Sequence, residues 1–346
     1  MLGIVLTNKG IEEFCAQEVG ELGAKNVQAG ERLVSFECKG REELCAIAYR
    51  AQSAERVLEV LVDESGPDVL ELIRSAGPKL AGVTGMACVE ASRFGTHAFD
   101  SVVVKQETAR LLKSVDYEDF ERLVYVVVVD QRVVIGIDVA GVDLSKREYK
   151  VFTNSFSLKA TVGYALVRMT GWSSGMLLDP LCRDGVVAIE AAHFAHDLSP
   201  RRFEKRRFAA QSPAPDRFGE PLDFEGGVLA TDGLFANISA AKKNAKIALV
   251  HKLIDFRKYA VDDIDLQVEK ESVSVIATSC TKVPAKFFER THFVLAAKGR
   301  IALLVQESKG VKESAVAAGF EVMRETQFWM GKNPYPVFLF GKNGKK

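Results

Sequence analysis

The stretch that most constrains this chain is Met176–Ala192, MLLDPLCRDGVVAIEAA. Met176, Leu177 and Leu178 predict a buried strand, Asp179-Pro180 starts a turn, and a helix begins at about Val186. A strand that breaks through a tight turn into a helix opens many nucleotide-type sites in α/β sheets, because the turn amides and helix start face the ligand. Such a unit needs neighbouring strands and covering helices. Leu158, Val162, Ala165, Leu166 and Met169 mark one face of a preceding helix. Further strands are expected at 228–231, 253–259, 273–278, 301–306, 321–328 and 336–341, with helices at 236–249, 284–297 and 311–318. Strands and helices in this alternation, closing in two consecutive strands, predict an α/β, Rossmann-like domain over 159–346.

The first half reads differently. Strands at 2–7, 31–38 and 56–62 alternate with helices at 9–23 and 40–50, which predicts a small α+β, ferredoxin-like domain over 1–65. A second unit, 66–145, carries helices at 68–76 and 100–114 and strands at 86–92, 123–129 and 133–137. The last two strands are joined only by Asp130-Gln131-Arg132, which predicts a hairpin although no glycine marks the turn. Residues 146–158 read as a linker.

No apolar run approaches the roughly 18–20 residues of a membrane span, and MLGIVLTNKG lacks the basic start and apolar core of a secretory signal. A cytoplasmic protein is expected. Six cysteines without a CxxC pair indicate neither a zinc ribbon nor a disulfide framework. Net charge is zero but uneven: residues 1–150 hold 18 Lys and Arg against 25 Asp and Glu, leaving 28 against 21 beyond. If the chain binds a polyanion, the second half supplies more of the long-range attraction.

Asp179, Pro180, Cys182, Gly185 and the run Ile189-Glu190-Ala191-Ala192 resemble the first methyltransferase motif of the THUMP-associated RNA methyltransferases, roughly Asp-Pro-x-Cys-Gly-Ser-Gly-Thr before a helix with Ile-Glu-Ala-Ala. Arg183 and Asp184 replace the motif's first Gly and Ser. Ala87–Leu112 is similar, less specifically, to the THUMP module, and 146–158 to the family's connecting segment. The resemblance implies a class I methyltransferase fold behind a THUMP module, S-adenosylmethionine as cofactor, and RNA, tRNA above all, as partner. It assigns cofactor contacts to Asp179, Gly185 and Asp232, the last for the ribose hydroxyls. Asp184 would bring a negative charge to where the cofactor's carboxylate lies, and Ala260 stands where an acid would meet the adenine amine, with Asp262 or Asp263 as substitutes. These departures put S-adenosylmethionine binding in doubt.

Two clusters suit RNA. Arg93, Phe94, Thr96, His97, Phe99 and Lys105 combine cations with rings on which bases can stack. Arg201, Arg202, Lys205, Arg206 and Arg207 place five cations in seven positions, enough to engage several phosphates or simply to form a solvated face. The family's fourth strand ends in Asn-Pro-Pro-Tyr, whereas Ser279, Cys280, Thr281 and Lys282 stand here, so no catalytic residue is assigned. Asn333-Pro334-Tyr335-Pro336 reads as a turn. Two functions remain. One is an RNA-binding THUMP protein that has lost catalysis and serves as partner of an active methyltransferase or as an RNA chaperone. The other is an active S-adenosylmethionine-dependent tRNA guanine-N2 methyltransferase.

Overall fold

RLVYVVVV and RVVIGID are apolar at almost every position, a composition suited to strands covered on both faces. A computed structural model of the protein describes residues 1–202 and 222–342 and places both segments inside a seven-stranded sheet. Its strands are β1 (Leu2–Thr7), β2 (Lys25–Gly30), β3 (Leu33–Glu37), β4 (Ala54–Ser65), β5 (Ala87–Phe94), β6 (Arg122–Val129) and β7 (Arg132–Asp138), in the order β2-β3-β1-β4-β7-β6-β5. Only β5 and β6 run parallel. The polar edge strand β2, KNVQAG, has no buried residue and no expected counterpart in the sequence reading. Val129 pairs with Arg132, so the expected hairpin closes through Asp130-Gln131, and Asp130 takes the positive φ (49°) that a glycine would otherwise supply. The helices expected at 9–23 and 100–114 are shorter, Glu12–Glu21 and Ser101–Ala109. Asp100 caps the second by accepting from the amides of Val102 and Val103 at 2.9 and 3.0 Å.

A second seven-stranded sheet holds β8 (Gly175–Asp179), β9 (Gly226–Asp232), β10 (Ile254–Lys258), β11 (Val273–Cys280), β12 (Leu295–Val305), β13 (Phe320–Met330) and β14 (Asn333–Lys342). The order is β10-β9-β8-β11-β12-β14-β13, parallel except for the two pairings of β14. This is the Rossmann-like class I methyltransferase sheet, with helices Ala160–Met169, Val186–Ala195, Phe235–Ile247, Phe287–Val294 and Val311–Ala317. Chain direction across the sheet reverses between β8 and β11, the position where open α/β sheets form their ligand crevice. Asn333–Pro336 is not a turn. Met330 pairs with Asn333 and Phe328 with Tyr335, so the turn is Gly331-Lys332 and the Asn-Pro-Tyr-Pro segment opens β14.

Glu190, fully buried in helix Val186–Ala195, joins the two halves. Its carboxylate accepts from Arg147 Nε at 3.0 Å, Tyr149 Oη at 2.8 Å and Gln52 Nε2 at 2.7 Å. Burial pushes this carboxyl up, but Arg147, His193 and Gln52 more than offset it and leave it below the usual range. The buried Arg201 guanidinium adds a second tie, donating to the carbonyls of Ala51 at 2.7 Å and Leu144 at 2.9 Å. On the opposite side the Trp329 amide donates to the Lys9 carbonyl at 2.9 Å. Among the described residues no helix is long and apolar enough to cross a membrane.

Candidate functional site

β8 delivers Asp179 to the crevice between β8 and β11, where its Oδ1 accepts from Thr278 Oγ1 at 2.6 Å. The side chain is buried, and burial raises its pKa to about 7 against the opposing Thr278 and Leu181 hydrogen bonds, with Asp232 adding repulsion. Gly185 ends the turn at φ +85°, and a Cβ there would lie 2.9 Å from the Ala241 Cβ. Only glycine combines that backbone with this approach of helix Phe235–Ile247. β9 brings Asp232 beside the turn: Oδ2 accepts from the Arg183 amide at 3.1 Å and Oδ1 from the Leu234 amide at 2.9 Å. Asp179, Gly185 and Asp232 are thus assembled at one end of the sheet.

The two replaced residues behave differently from each other. Arg183 adopts φ +50°, so the turn keeps a left-handed step although the glycine is gone. Its guanidinium lies 5.1 Å from the Phe156 ring centroid, with Nη2 3.5 Å from Thr281 Oγ1. One side chain thereby spans the first turn, the segment 146–158 and the end of β11. Asp184 is buried and its carboxylate accepts from Ser157 Oγ, while its carbonyl accepts from Asn244 Nδ2 at 2.9 Å. Burial raises its pKa, and Ser157 and Lys150 act against that rise. The charge expected to oppose a cofactor carboxylate is tied instead to the connecting segment. Ala260 is exposed and packs near Gly233, and Asp262 and Asp263 are exposed in a short 3₁₀ turn just beyond it.

At the end of β11, Ser279 and Cys280 are buried, and burial pushes the Cys280 thiol up to about 12 although Arg183 lowers it. A thiol so protonated is a poor nucleophile at neutral pH. Among the described residues no group of three or more His, Cys, Asp or Glu is placed to hold a metal ion.

The first RNA-facing cluster divides. Arg93 and Phe94 line a cleft of about 690 Å³ between the first sheet and the β13–β14 turn. Thr96, His97 and Phe99 border a different depression with Val69 and Gln131. Lys105 stands 4.1 Å over the Tyr117 ring. His97 is braced on both nitrogens, by Arg93 Nη1 at 2.9 Å and the Asp130 carbonyl at 2.6 Å. Since a guanidinium only donates, Nδ1 accepts and Nε2 carries the proton given to Asp130. In the second cluster Arg201 is a correction, because its guanidinium is buried on backbone carbonyls of the first half and is not presented to solvent. Arg202 is half-buried, and Lys205, Arg206 and Arg207 lie outside the described residues. Composition gave no warning of the Glu190 junction, whose partners stand 41, 43 and 138 positions away.

Comparisons with known proteins agree with this geometry. Over 94% of its length the chain is 23% identical to the tRNA (guanine(6)-N2)-methyltransferase of Methanocaldococcus jannaschii, covering 96% of that protein. It is 27% identical over 59% of its length to the ribosomal RNA large subunit methyltransferase K/L of Photobacterium profundum, of which the match spans only 31%. The crystal structure of TrmN from Thermus thermophilus superposes with a TM-score of 0.71 at 20% identity, covering 99% of both chains. A possible methylase from Clostridium difficile 630 gives 0.75 at 17% identity, over 100% of this chain and 98% of that one. The family of RMKL-like methyltransferase domains matches residues 147–332, more than half of the sequence, and the chain belongs to that family.

Proposed function

We propose that this chain is an RNA-binding protein, with tRNA as the RNA, whose methyltransferase domain no longer transfers a methyl group to a base amine. The observation that carries this reading is the Arg183 side chain reaching Thr281 beside an end of β11 that presents Ser279, Cys280, Thr281 and Lys282. Transfer to an exocyclic amine needs oxygens to hold the amine and a ring to hold the base. Here no ring stands in that segment, and a guanidinium lies between it and the cofactor turn. RNA binding is supported by the relatives' named substrates and by Arg93 and Phe94 in the lining of the cleft. The N-terminal regions 1–65 and 66–145, read as a ferredoxin-like domain and a THUMP module, would hold the RNA, leaving the protein to act with an active methyltransferase or as a chaperone.

A second reading, an active S-adenosylmethionine-dependent tRNA guanine-N2 methyltransferase, is favoured by the names of the relatives and by the joint placement of Asp179, Gly185 and Asp232. The diversion of Asp184 to Ser157 also removes one objection to cofactor binding. Two titrations separate the readings. The proposal expects tRNA to be retained at low salt, with affinity falling at least tenfold between 50 and 200 mM salt. It expects no micromolar binding of S-adenosylmethionine by calorimetry. Micromolar binding of that cofactor would favour the second reading, and absence of tRNA retention would remove both.

A further inference from the structure

Arg32 is the residue whose placement the fold does not explain. It occupies the two-residue loop Glu31-Arg32 between β2 and β3, at φ +60°, a backbone region that a side chain as long as arginine rarely enters. Its backbone is held on both sides: its amide donates to Glu12 Oε1 at 2.9 Å and its carbonyl accepts from the Thr7 amide at 2.9 Å. The residue is only 7% exposed, and its guanidinium carbon stands 4.0 Å over the Phe94 ring. Yet among the described residues the guanidinium has no hydrogen-bond or ion-pair partner. Glu55, Glu31 and Glu12 act on it only from a distance, and burial lowers its pKa. Its nitrogens keep some contact with solvent, and a cation so largely enclosed is well completed by an anion at its open side.

Arg32 lines the 690 Å³ cleft, as do Lys9, Lys159, Trp329 and Lys332. Lys9 and Lys159 are answered at 2.7 Å by Glu31 and Glu55. Lys332, exposed in the β13–β14 turn, has no ion pair among the described residues, so Arg32 and Lys332 border one cavity from opposite halves of the molecule without a counter-ion, while Arg93 is held by the Gly95 carbonyl and His97. Trp329 adds a half-buried ring beneath Lys9, with the ammonium 5.4 Å from its centroid. We infer that this cleft is an RNA phosphate site, in which a phosphodiester of a single-stranded segment sits against Arg32 and Lys332 while a neighbouring base meets Trp329. Guanidinium recognises phosphate through paired donors, and aromatic rings accept unpaired bases of any identity. The inference rests on the reading of the chain as an RNA-binding protein.

The test uses the full chain with two probes, unmodified tRNA and a nucleoside 5′-monophosphate, and two variants, Arg32→Gln and Lys332→Glu. Loss of one charge-assisted phosphate contact weakens tRNA binding by about tenfold or more, and the slope of log affinity against log salt falls by about 1. Lys332→Glu is at an exposed turn and decides the matter if Arg32→Gln melts early. If wild type retains tRNA and both folded variants bind it equally well, the inference fails while the RNA-binding reading stands. If wild type ignores tRNA but binds the monophosphate through Arg32, the RNA reading fails and the cleft is a small phosphate-ester site. Binding of neither probe overturns both.

Discussion

Glu190→Ala is expected to destabilise the chain by about 3–5 kcal/mol, the range for removing one partner of a buried ion pair. The physical reason is what remains: Arg147, 6% exposed, keeps its charge and loses its counter-ion, and Tyr149 and Gln52 lose their acceptor. The effect reaches beyond one helix, because Gln52 belongs to the first half, Arg147 and Tyr149 to the connecting segment, and Glu190 to helix Val186–Ala195, which follows β8. Replacing both charged partners, as in Arg147→Met with Glu190→Leu, removes the unpaired charge and should recover much of the loss. The pair is coupled to pH with a definite sign. A carboxyl held below its usual range in the folded chain contributes stability above the unfolded value near 4.5, and that contribution fades as pH falls through the folded value. Denaturant midpoints for the two variants check this. A cost below about 1 kcal/mol for Glu190→Ala would contradict the junction as described.

Asp179 carries the opposite sign. Its folded pKa of about 7 lies above the ordinary carboxyl value, so between pH 4 and 7 the folded chain holds a proton that the unfolded chain has released. Stability contributed at this position therefore decreases as pH rises across that window and levels off above it. Asp179→Asn removes the ionisation while keeping an oxygen to accept from Thr278. The variant should match wild type near pH 4 and exceed it at pH 8 by roughly 2–4 kcal/mol, since each pKa unit corresponds to about 1.4 kcal/mol. Melting temperatures across pH 4–8 measure the divergence. Parallel curves for the two proteins would show that Asp179 is ionised in the fold without cost.

The strand–turn–helix at 176–192 was legible because a continuous apolar run suits a parallel strand buried on both faces, and because the turn needs a glycine at Gly185. The placement of Asp232 followed from topology, since β9 lies beside β8 and runs past its end, Asp179 pairing with Ala230. Side-chain destinations were another matter. Arg201 sits in a run that resembles a solvated face, but its guanidinium meets carbonyls some 150 positions earlier, which no local pattern encodes. The partner of Asp184 was equally hidden, because Ser157 comes from the connecting segment. β2 was illegible because a polar edge strand that packs only Val27 against the core carries no hydrophobic alternation. At Asn333–Pro336 the turn-forming residues were real signals, yet the reversal falls two residues earlier, at Gly331-Lys332.

The proposed role requires that this fold hold RNA without methylating it. The most direct measurement is a single-turnover assay with the full chain in excess over unmodified tRNA, methyl-labelled S-adenosylmethionine, and nucleoside analysis of the RNA. The expected result is tRNA retained at low salt and no label in any nucleoside. Label recovered as N2-methylguanosine would contradict it and establish the guanine-N2 methyltransferase in its place.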